Sequence, residues 1–316
     1  MIELAEIERA RDVIAEVAVR TPLVRLDVDA EAEIYLKLET LQPVNSFKIR
    51  GAGNAVLQAS DHDLRDGVLT ASAGNMAQGV ALAARLRGVP ATIVVPEHAP
   101  EAKLAAIARY GGKVIKVPYD EWWQVLVDGR YAGVGGLFVH PVDNPRVMAG
   151  NGTIGLELLD QLSDFDAVVV PYGGGGLLTG IASAVKQRRP EVKVYAVEPA
   201  TAAPVTATLA AGGVPTEVEY VPSFVDGSGS RALIPSVWEH VSGLLDGAFA
   251  IPIDETAAAV RLIAERVRVI AEGAGALATA AAISGRVDGA RKIVCIVSGG
   301  NIDFAVLSRI LNGEDV

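Results

Sequence analysis

The 316-residue chain has one cysteine, Cys295, so no disulfide can form within it, and a cytoplasmic setting is expected. Cys295 lies in the apolar run Lys-Ile-Val-Cys-Ile-Val and reads as a buried structural thiol. Basic runs are missing too. With 28 Lys and Arg against 38 Asp and Glu the formal net charge is −10, and no continuous basic stripe offers itself to a phosphate backbone, which argues against nucleic acid as a partner. The N-terminus, Met-Ile-Glu-Leu-Ala-Glu-Ile-Glu, is acidic and amphipathic and has neither region of a signal peptide. His62, His98, His140 and His240 show no metal-ligand spacing. Internal repeats and low-complexity tracts are absent. Ala167 to Val185 carries no charge over a length close to a membrane span, yet it contains Pro171 and Gly173 to Gly176, which predicts a strand, a tight loop and a helix instead. No membrane partner is expected.

Half of the residues are hydrophobic and 21% are charged, enough to fill a sizeable core and to exclude intrinsic disorder and small stapled scaffolds. Short β-branched runs alternate with helical patterns. The predicted strands are Ile34–Leu38, Val68–Thr70, Ala91–Val95, Lys113–Val117, Ala167–Pro171, Val194–Val197, Ala248–Ile251 and Lys292–Val297. Helices are predicted over Asn75–Arg87, Pro100–Tyr110, Gly152–Leu162, Leu177–Arg188 and Asp254–Ile270. This alternation predicts an α/β fold with parallel sheets covered on both faces by helices. The loop around Gly133–Pro145 interrupts the pattern and is the best crossing point between two halves.

Glycine is the residue in excess, 33 of 316, against about 7% in average proteins. In open α/β sheets ligands bind where strands end and helices begin, so three glycine-bearing turns matter most. The first is Val168-Val-Val-Pro-Tyr-Gly173-Gly-Gly-Gly-Leu-Leu-Thr179. Four residues without Cβ atoms let backbone N–H groups converge on an anion ahead of a helix N-terminus, and a tight turn with close packing explains them equally. The lysine of a P-loop is missing before Thr179, and no Gly-x-Gly-x-x-Gly spacing exists. The second is Thr70-Ala-Ser72-Ala73-Gly74-Asn75-Met76-Ala-Gln78-Gly79. Ser72 and Asn75 suit helix capping, or the exposed N–H groups of the helix start hold a carboxylate. The third is Ser298-Gly299-Gly300-Asn301 after an apolar strand, where Ser298 caps the last helix or donates to a ring nitrogen. Lys48 stands at a predicted helix start between Phe47 and Ile49. The helix dipole does not favour a cation there and burial would lower its pKa, as Schiff-base chemistry requires.

Taken together and in order, Lys37-Leu-Glu-Thr-Leu-Gln-Pro-x-x-Ser-Phe-Lys-Ile-Arg-Gly-Ala, Ser-Ala-Gly-Asn-x-Ala-Gln-Gly, Gly-Gly-Gly-Gly-Leu and Ser-Gly-Gly-Asn resemble the threonine/serine dehydratases (threonine ammonia-lyases), pyridoxal-phosphate enzymes of fold type II. Phe138-Val-His-Pro141, Ala149-Gly-x-Gly-Thr-Ile154 and Val197-Glu-Pro199 match between them. The resemblance runs from about Thr21 to the end of the chain. It implies a tryptophan synthase beta-like architecture: two open twisted sheets, mainly parallel, flanked by helices. A large cofactor-binding domain would take residues 1–64 and 146–316, and a small mobile domain, 65–145, would close over substrate. It implies pyridoxal 5'-phosphate held by Lys48 as a Schiff base, with Phe47 beside the ring, Asn75 on the ring hydroxyl, Gly173, Gly174, Gly175 and Gly176 on the phosphate, and Ser298 at the pyridine nitrogen. Ser72, Gly74, Asn75, Met76 and Gln78 would surround the substrate carboxylate. A homodimer or homotetramer is expected from the family.

The implied reaction is deamination of a β-hydroxy amino acid, threonine or serine first, to a 2-oxo acid and ammonia. Met76 replaces the family's histidine, Asn45 its glycine and Tyr172 a small aliphatic residue. Together with Arg231, Met76 keeps 3-hydroxyaspartate or a compatible-solute catabolite as alternative substrates. Racemases of the family tend to carry serine where Ala73 stands, which favours elimination over racemisation. Glu198 matches the family's metal site but Pro204 replaces its second acid, so no tight metal is expected. The non-enzymatic alternative is a nucleotide- or phosphate-ligand-binding protein, against which the placement of Lys48 argues. The chain ends at Val316 soon after its last helical pattern, so no appended regulatory domain is expected.

Overall fold

Runs of Val and Ile become strands and the alanine-rich stretches between them become helices, in a computed structural model that describes all 316 residues. Strands β1 (Leu23–Arg25), β2 (Glu33–Leu38), β7 (Ala167–Pro171), β8 (Lys193–Pro199), β9 (Gly247–Ile251) and β10 (Lys292–Val297) make one sheet in the order β1-β2-β10-β7-β8-β9. Only β1 is antiparallel to its neighbour. Strands β3 (Val68–Ala71), β4 (Ala91–Pro96), β5 (Gly112–Val117) and β6 (Leu137–Phe138) form a wholly parallel sheet in the order β5-β4-β3-β6. The helices are α1 (Leu4–Val13), α2 (Lys48–Leu57), α3 (Asn75–Arg87), α4 (Glu101–Arg109), α5 (Tyr119–Asp128), α6 (Pro145–Gln161), α7 (Gly176–Arg188), α8 (Pro204–Ala210), α9 (Pro235–Val241), α10 (Ile253–Val267), α11 (Gly273–Ile283) and α12 (Phe304–Asn312). None is long and apolar enough to cross a membrane, and Ala167–Val185 divides into β7, the glycine turn and α7.

All eight predicted strands are present with ends moved by at most two residues, and β1 and β6 are additions too short to carry an alternation. Helix α6 begins seven residues earlier than the apolar spacing predicts. Asn144 caps it, accepting from the N–H groups of Arg146 and Val147, with Pro145 at the first position. Its glycines set how closely helices approach: a Cβ on Gly150 would lie 2.3 Å from the Arg50 carbonyl oxygen, and one on Gly180 of α7 2.3 Å from that of Met148. Part of the glycine excess is thus packing of α6 against α2 and α7.

Alternation along β10 divides the large core. Ile293, Cys295 and Val297 face a cluster with Ile263 and Leu277 of α10 and α11, while Val294 and Ile296 face one with Ile154 and Leu178 of α6 and α7. Burial pushes the Cys295 thiol pKa up, as expected of a structural thiol. A third cluster covers the small sheet, joining Val80 and Ile93 to Ala52, Ala55 and Val56 of α2 and to Val147. Helix α2, which starts at Lys48, therefore packs into the core of the small sheet although it precedes Arg65.

Beneath α2 lies a buried ionic network. Arg50 donates to Glu39 and to Glu157, each at 2.7 Å in its shortest contact, and Lys37 donates to Glu157 and to the Thr21 carbonyl. Arg50, Lys37 and Glu39 are 1%, 0% and 0% exposed. Charges so deep persist only as a mutually paired set, and this set ties β2, α2 and α6 into one unit.

Candidate active site

The strand-to-helix turns of both sheets converge on Lys48, as expected where parallel strands end at a switch in strand order. Strand β10 lies between β2 and β7, and its end is laced to the segment before α2: the Phe47 N–H donates to the Ser298 carbonyl at 3.0 Å, and Ser46 and Gly299 form an antiparallel bridge. The Lys48 amine donates to the Pro141 carbonyl beyond β6 at 3.1 Å and lies 5.0 Å from the Phe47 ring centre. Part of the side chain stays open to the cleft, but its dehydrated surroundings push the amine pKa from 10.5 down to about 8, with Glu272 opposing the shift.

The segment after β6 crosses the glycine turn. His140 Nδ1 accepts from the N–H groups of Val142 and Asp143, and a Cβ on Gly174 would lie 2.8 Å from Val142. A Cβ on Gly175, whose φ is +93°, would strike the Tyr172 ring at 2.8 Å, and one on Gly173 would approach the Gly227 carbonyl at 3.2 Å. The turn is a cradle of bare backbone at the start of the 13-residue α7, which suits a phosphate. Tyr172, in place of a small residue, lies beneath the turn with no partner for its hydroxyl. The buried hydroxyl of Ser46, two residues from Lys48, also has none.

At the second turn the capping explanation fails. Helix α3 begins at Asn75 with Gly74 in the capping position and no side-chain cap, and Ser72 Oγ accepts instead from the Gly74 N–H at 3.2 Å. The first-turn N–H groups are left for another acceptor. Ser72, Ala73, Gly74 and Asn75 are partly accessible there, and Gln78 is buried nearby. The Met76 side chain is not brought to the site. It lies in the core of the small sheet, 2% exposed, leaving only its backbone N–H for the turn. The last-helix reading of Ser298 fails as well, because Asp303 caps α12 by accepting from Ala305 and Val306 N–H. Ser298 stays at the end of β10, 3% exposed.

Two groups have no place in the sequence expectations. Glu272, at the start of α11, accepts from Asn75 Nδ2 at 2.8 Å, and burial raises its pKa to about 8. A lone acid heading an otherwise uncharged run from Gly273 to Gly285 was the available signal. Asp226 pairs with Lys103 of α4 at 2.5 Å, spanning from the large sheet's loops to the small sheet's helices. Arg231 is exposed. Glu198 accepts from the N–H groups of Val205 and Thr206 and from the Thr206 hydroxyl, so donors of α8 already engage both of its oxygens.

An amine with a lowered pKa, a bare-backbone anion cradle and uncapped N–H groups form a donor set that fits an aldehyde bearing a phosphate together with an amino-acid carboxylate. Residues 14–299 match the family model described as "Pyridoxal-phosphate dependent enzyme". The chain is 40% identical to the L-threonine ammonia-lyase of Thermotoga maritima over 99% of its own length and 79% of the relative's. Its fold matches threonine deaminase isoform 2 from Solanum lycopersicum with a TM-score of 0.87 at 34% identity, covering 98% of this chain and 86% of the other. Maize serine racemase matches with a TM-score of 0.88 at 32% identity, covering 99% and 97%. The cofactor that fits the site is pyridoxal 5'-phosphate, and the chain belongs to the fold type II pyridoxal-phosphate enzymes, within the threonine dehydratase family.

Proposed function

We propose that the chain deaminates a β-hydroxy amino acid of threonine or serine type to a 2-oxo acid and ammonia: the β-hydroxyl leaves as water and a water then replaces the nitrogen. The observation that carries this reading is Lys48, an amine held between the Phe47 ring and the Pro141 carbonyl with its pKa pushed down to about 8.

When bound, the cofactor supplies a sink for the electrons released as the α-proton departs. Lys48 would hold the cofactor covalently, and its Nζ, when free, would take the α-proton. Gly173 to Gly176 and the N-terminus of α7 would hold the phosphate, Phe47 would flank the ring, and Asn75 would donate to its hydroxyl oxygen. Ser298 would present a hydroxyl to the ring nitrogen. A hydroxyl does not keep that nitrogen charged as a carboxylate would, which favours prompt departure of the β-hydroxyl. Ser72 and the first-turn N–H groups of Gly74, Asn75 and Met76, with Gln78, take the substrate carboxylate. Residues 65–145 would close over the substrate, on a side that the Lys103–Asp226 pair already bridges.

Loading should follow the neutral amine. At pH 7 a pKa of about 8 leaves roughly a tenth of Lys48 neutral, about 300-fold more than a pKa of 10.5 would. The rate at which the apoprotein develops its visible band with added pyridoxal phosphate is expected to rise with pH and level off above about 8. A rise continuing past pH 10 contradicts the lowered pKa.

Similarity to serine racemase favours a second reading, racemisation. Ala73 opposes it, since alanine has no proton to give on the second face. Release of oxo acid and ammonia from a panel of β-hydroxy amino acids, 3-hydroxyaspartate included, decides the matter. Oxo acid is expected to outpace inverted amino acid, and Ala73→Ser is expected to raise inversion at least about a hundredfold, the scale of one positioned acid. Faster inversion than oxo-acid release by the unaltered chain overturns the lyase reading.

A further inference from the structure

Asn45 stands in the left-handed region at φ 55°, one of only two non-glycine residues with positive φ. Glycine takes that conformation freely, and asparagine tolerates it better than most residues but at a cost. The side chain therefore calls for its own account. Its backbone is fully engaged: the N–H donates to the Gln42 carbonyl at 2.7 Å, and its carbonyl accepts from Gly300 N–H at 2.9 Å.

Asn45 Nδ2 donates to Asn301 Oδ1 at 3.2 Å. Asn301 Nδ2 donates to the Val44 carbonyl at 2.9 Å and to Asn75 Oδ1 at 2.7 Å. Asn75 Nδ2 donates to Glu272 Oε1 at 2.8 Å. An amide has an accepting end and a donating end, and a backbone carbonyl can only accept. Val44 thus forces Asn301 to turn its nitrogen inward and its oxygen toward Asn45, which supplies the donor that oxygen needs. The nitrogen of Asn301 in turn forces Asn75 to face it with oxygen, so the Asn75 nitrogen points the other way. One of that nitrogen's two hydrogens goes to Glu272, and the second is free for a ligand.

We propose that Asn45 is a positioning residue which, through Asn301, holds the Asn75 amide with its donor end toward the ring oxygen of the cofactor, Glu272 being the acceptor that closes the row. The proposal rests on the reading of Asn75 given under Proposed function. A donor at the ring oxygen stabilises its anion, so a disturbance at residue 45 reaches the colour and protonation of the bound cofactor without touching it. The substrate carboxylate is held by Ser72, Gln78 and backbone N–H groups, none of them a side-chain amide of this row, so turnover suffers and substrate binding does not.

The test uses holoenzyme carrying Asn45→Gly, which keeps the backbone relaxed, and Asn45→Asp, which sets an acceptor against Asn301 Oδ1. Visible absorbance is titrated against pH, kcat and KM are measured, and thermal melting is followed. For Asn45→Asp the expected result is a shift of about half a pH unit in the absorbance titration, with kcat down about fivefold, the scale of one hydrogen bond, and KM within twofold. Asn45→Gly should show the same shift at smaller size with an unchanged or raised melting temperature. Variants whose titration and kcat match the unaltered holoenzyme overturn the proposal, even if their melting temperatures move. An unaltered chain that takes up no pyridoxal phosphate overturns this proposal and the functional reading together. One that is coloured and active beside indistinguishable variants overturns this proposal alone.

Discussion

Replacing Lys48 with alanine is expected to abolish covalent attachment of pyridoxal phosphate and to lower turnover by at least about a thousandfold. The same amine would be missing as the anchor of the cofactor and as the base for the α-proton, and positioned proton transfer alone is worth roughly 10²–10⁴. The glycine cradle and α7 are untouched, so noncovalent cofactor should still bind. Borohydride reduction followed by peptide mapping is expected to place the label on Lys48 of the unaltered chain and nowhere in the variant. Labelling of another lysine at full stoichiometry, or turnover within tenfold of the unaltered enzyme, contradicts the assignment.

Arg50→Ala is expected to destabilise the fold by about 3–5 kcal/mol, among the largest effects available to one residue here. Arg50 alone joins Glu39 to Glu157, and both carboxylates are buried. Its removal leaves Glu39 beside the Thr21 hydroxyl and the Gln42 amide without a cation in contact, while Lys37 still pairs with Glu157. Ion pairing holds the Glu39 pKa below its ordinary value against the opposing effect of burial, so the orphaned carboxylate is expected to take up a proton nearer neutrality. The loss should accordingly be smaller at low pH, where a neutral Glu39 costs less to bury. Denaturant melts at pH 5 and pH 8 measure both predictions; a loss under about 1 kcal/mol at both contradicts the network's role.

Much of the site was legible in the sequence because its chemistry resides in local turns. Lys48 between two apolar residues, four consecutive glycines after a β-branched strand, and Ser72-Ala73-Gly74-Asn75 ahead of an alanine-rich helix are all contiguous features. Met76 shows the limit of that reading. It sits inside the motif, but a helix directs adjacent side chains about 100° apart, and the third cluster claims it. Ser298 shows another: serine suits a cap, and only the competing Asp303 three-dimensionally in place at α12 removes that role.

What the sequence determined by itself was therefore the fold class, the strands with β-branched alternation, and the glycine turn and the lysine proposed as anion cradle and reactive amine, since each depends on neighbours in the chain. Tertiary structure alone decided which distant groups meet them. Glu272 reaches Asn75 across 197 positions, Asn301 reaches it across 226, and Lys103 meets Asp226 across 123. No period or spacing encodes such pairs, because they form only when β10 takes its place between β2 and β7 and brings the turns of both sheets together. The glycine excess divides the same way: Gly173 to Gly176 mark a tight strand-to-helix turn in sequence, whereas Gly150 and Gly180 acquire their reason only when α6 packs on α2 and α7.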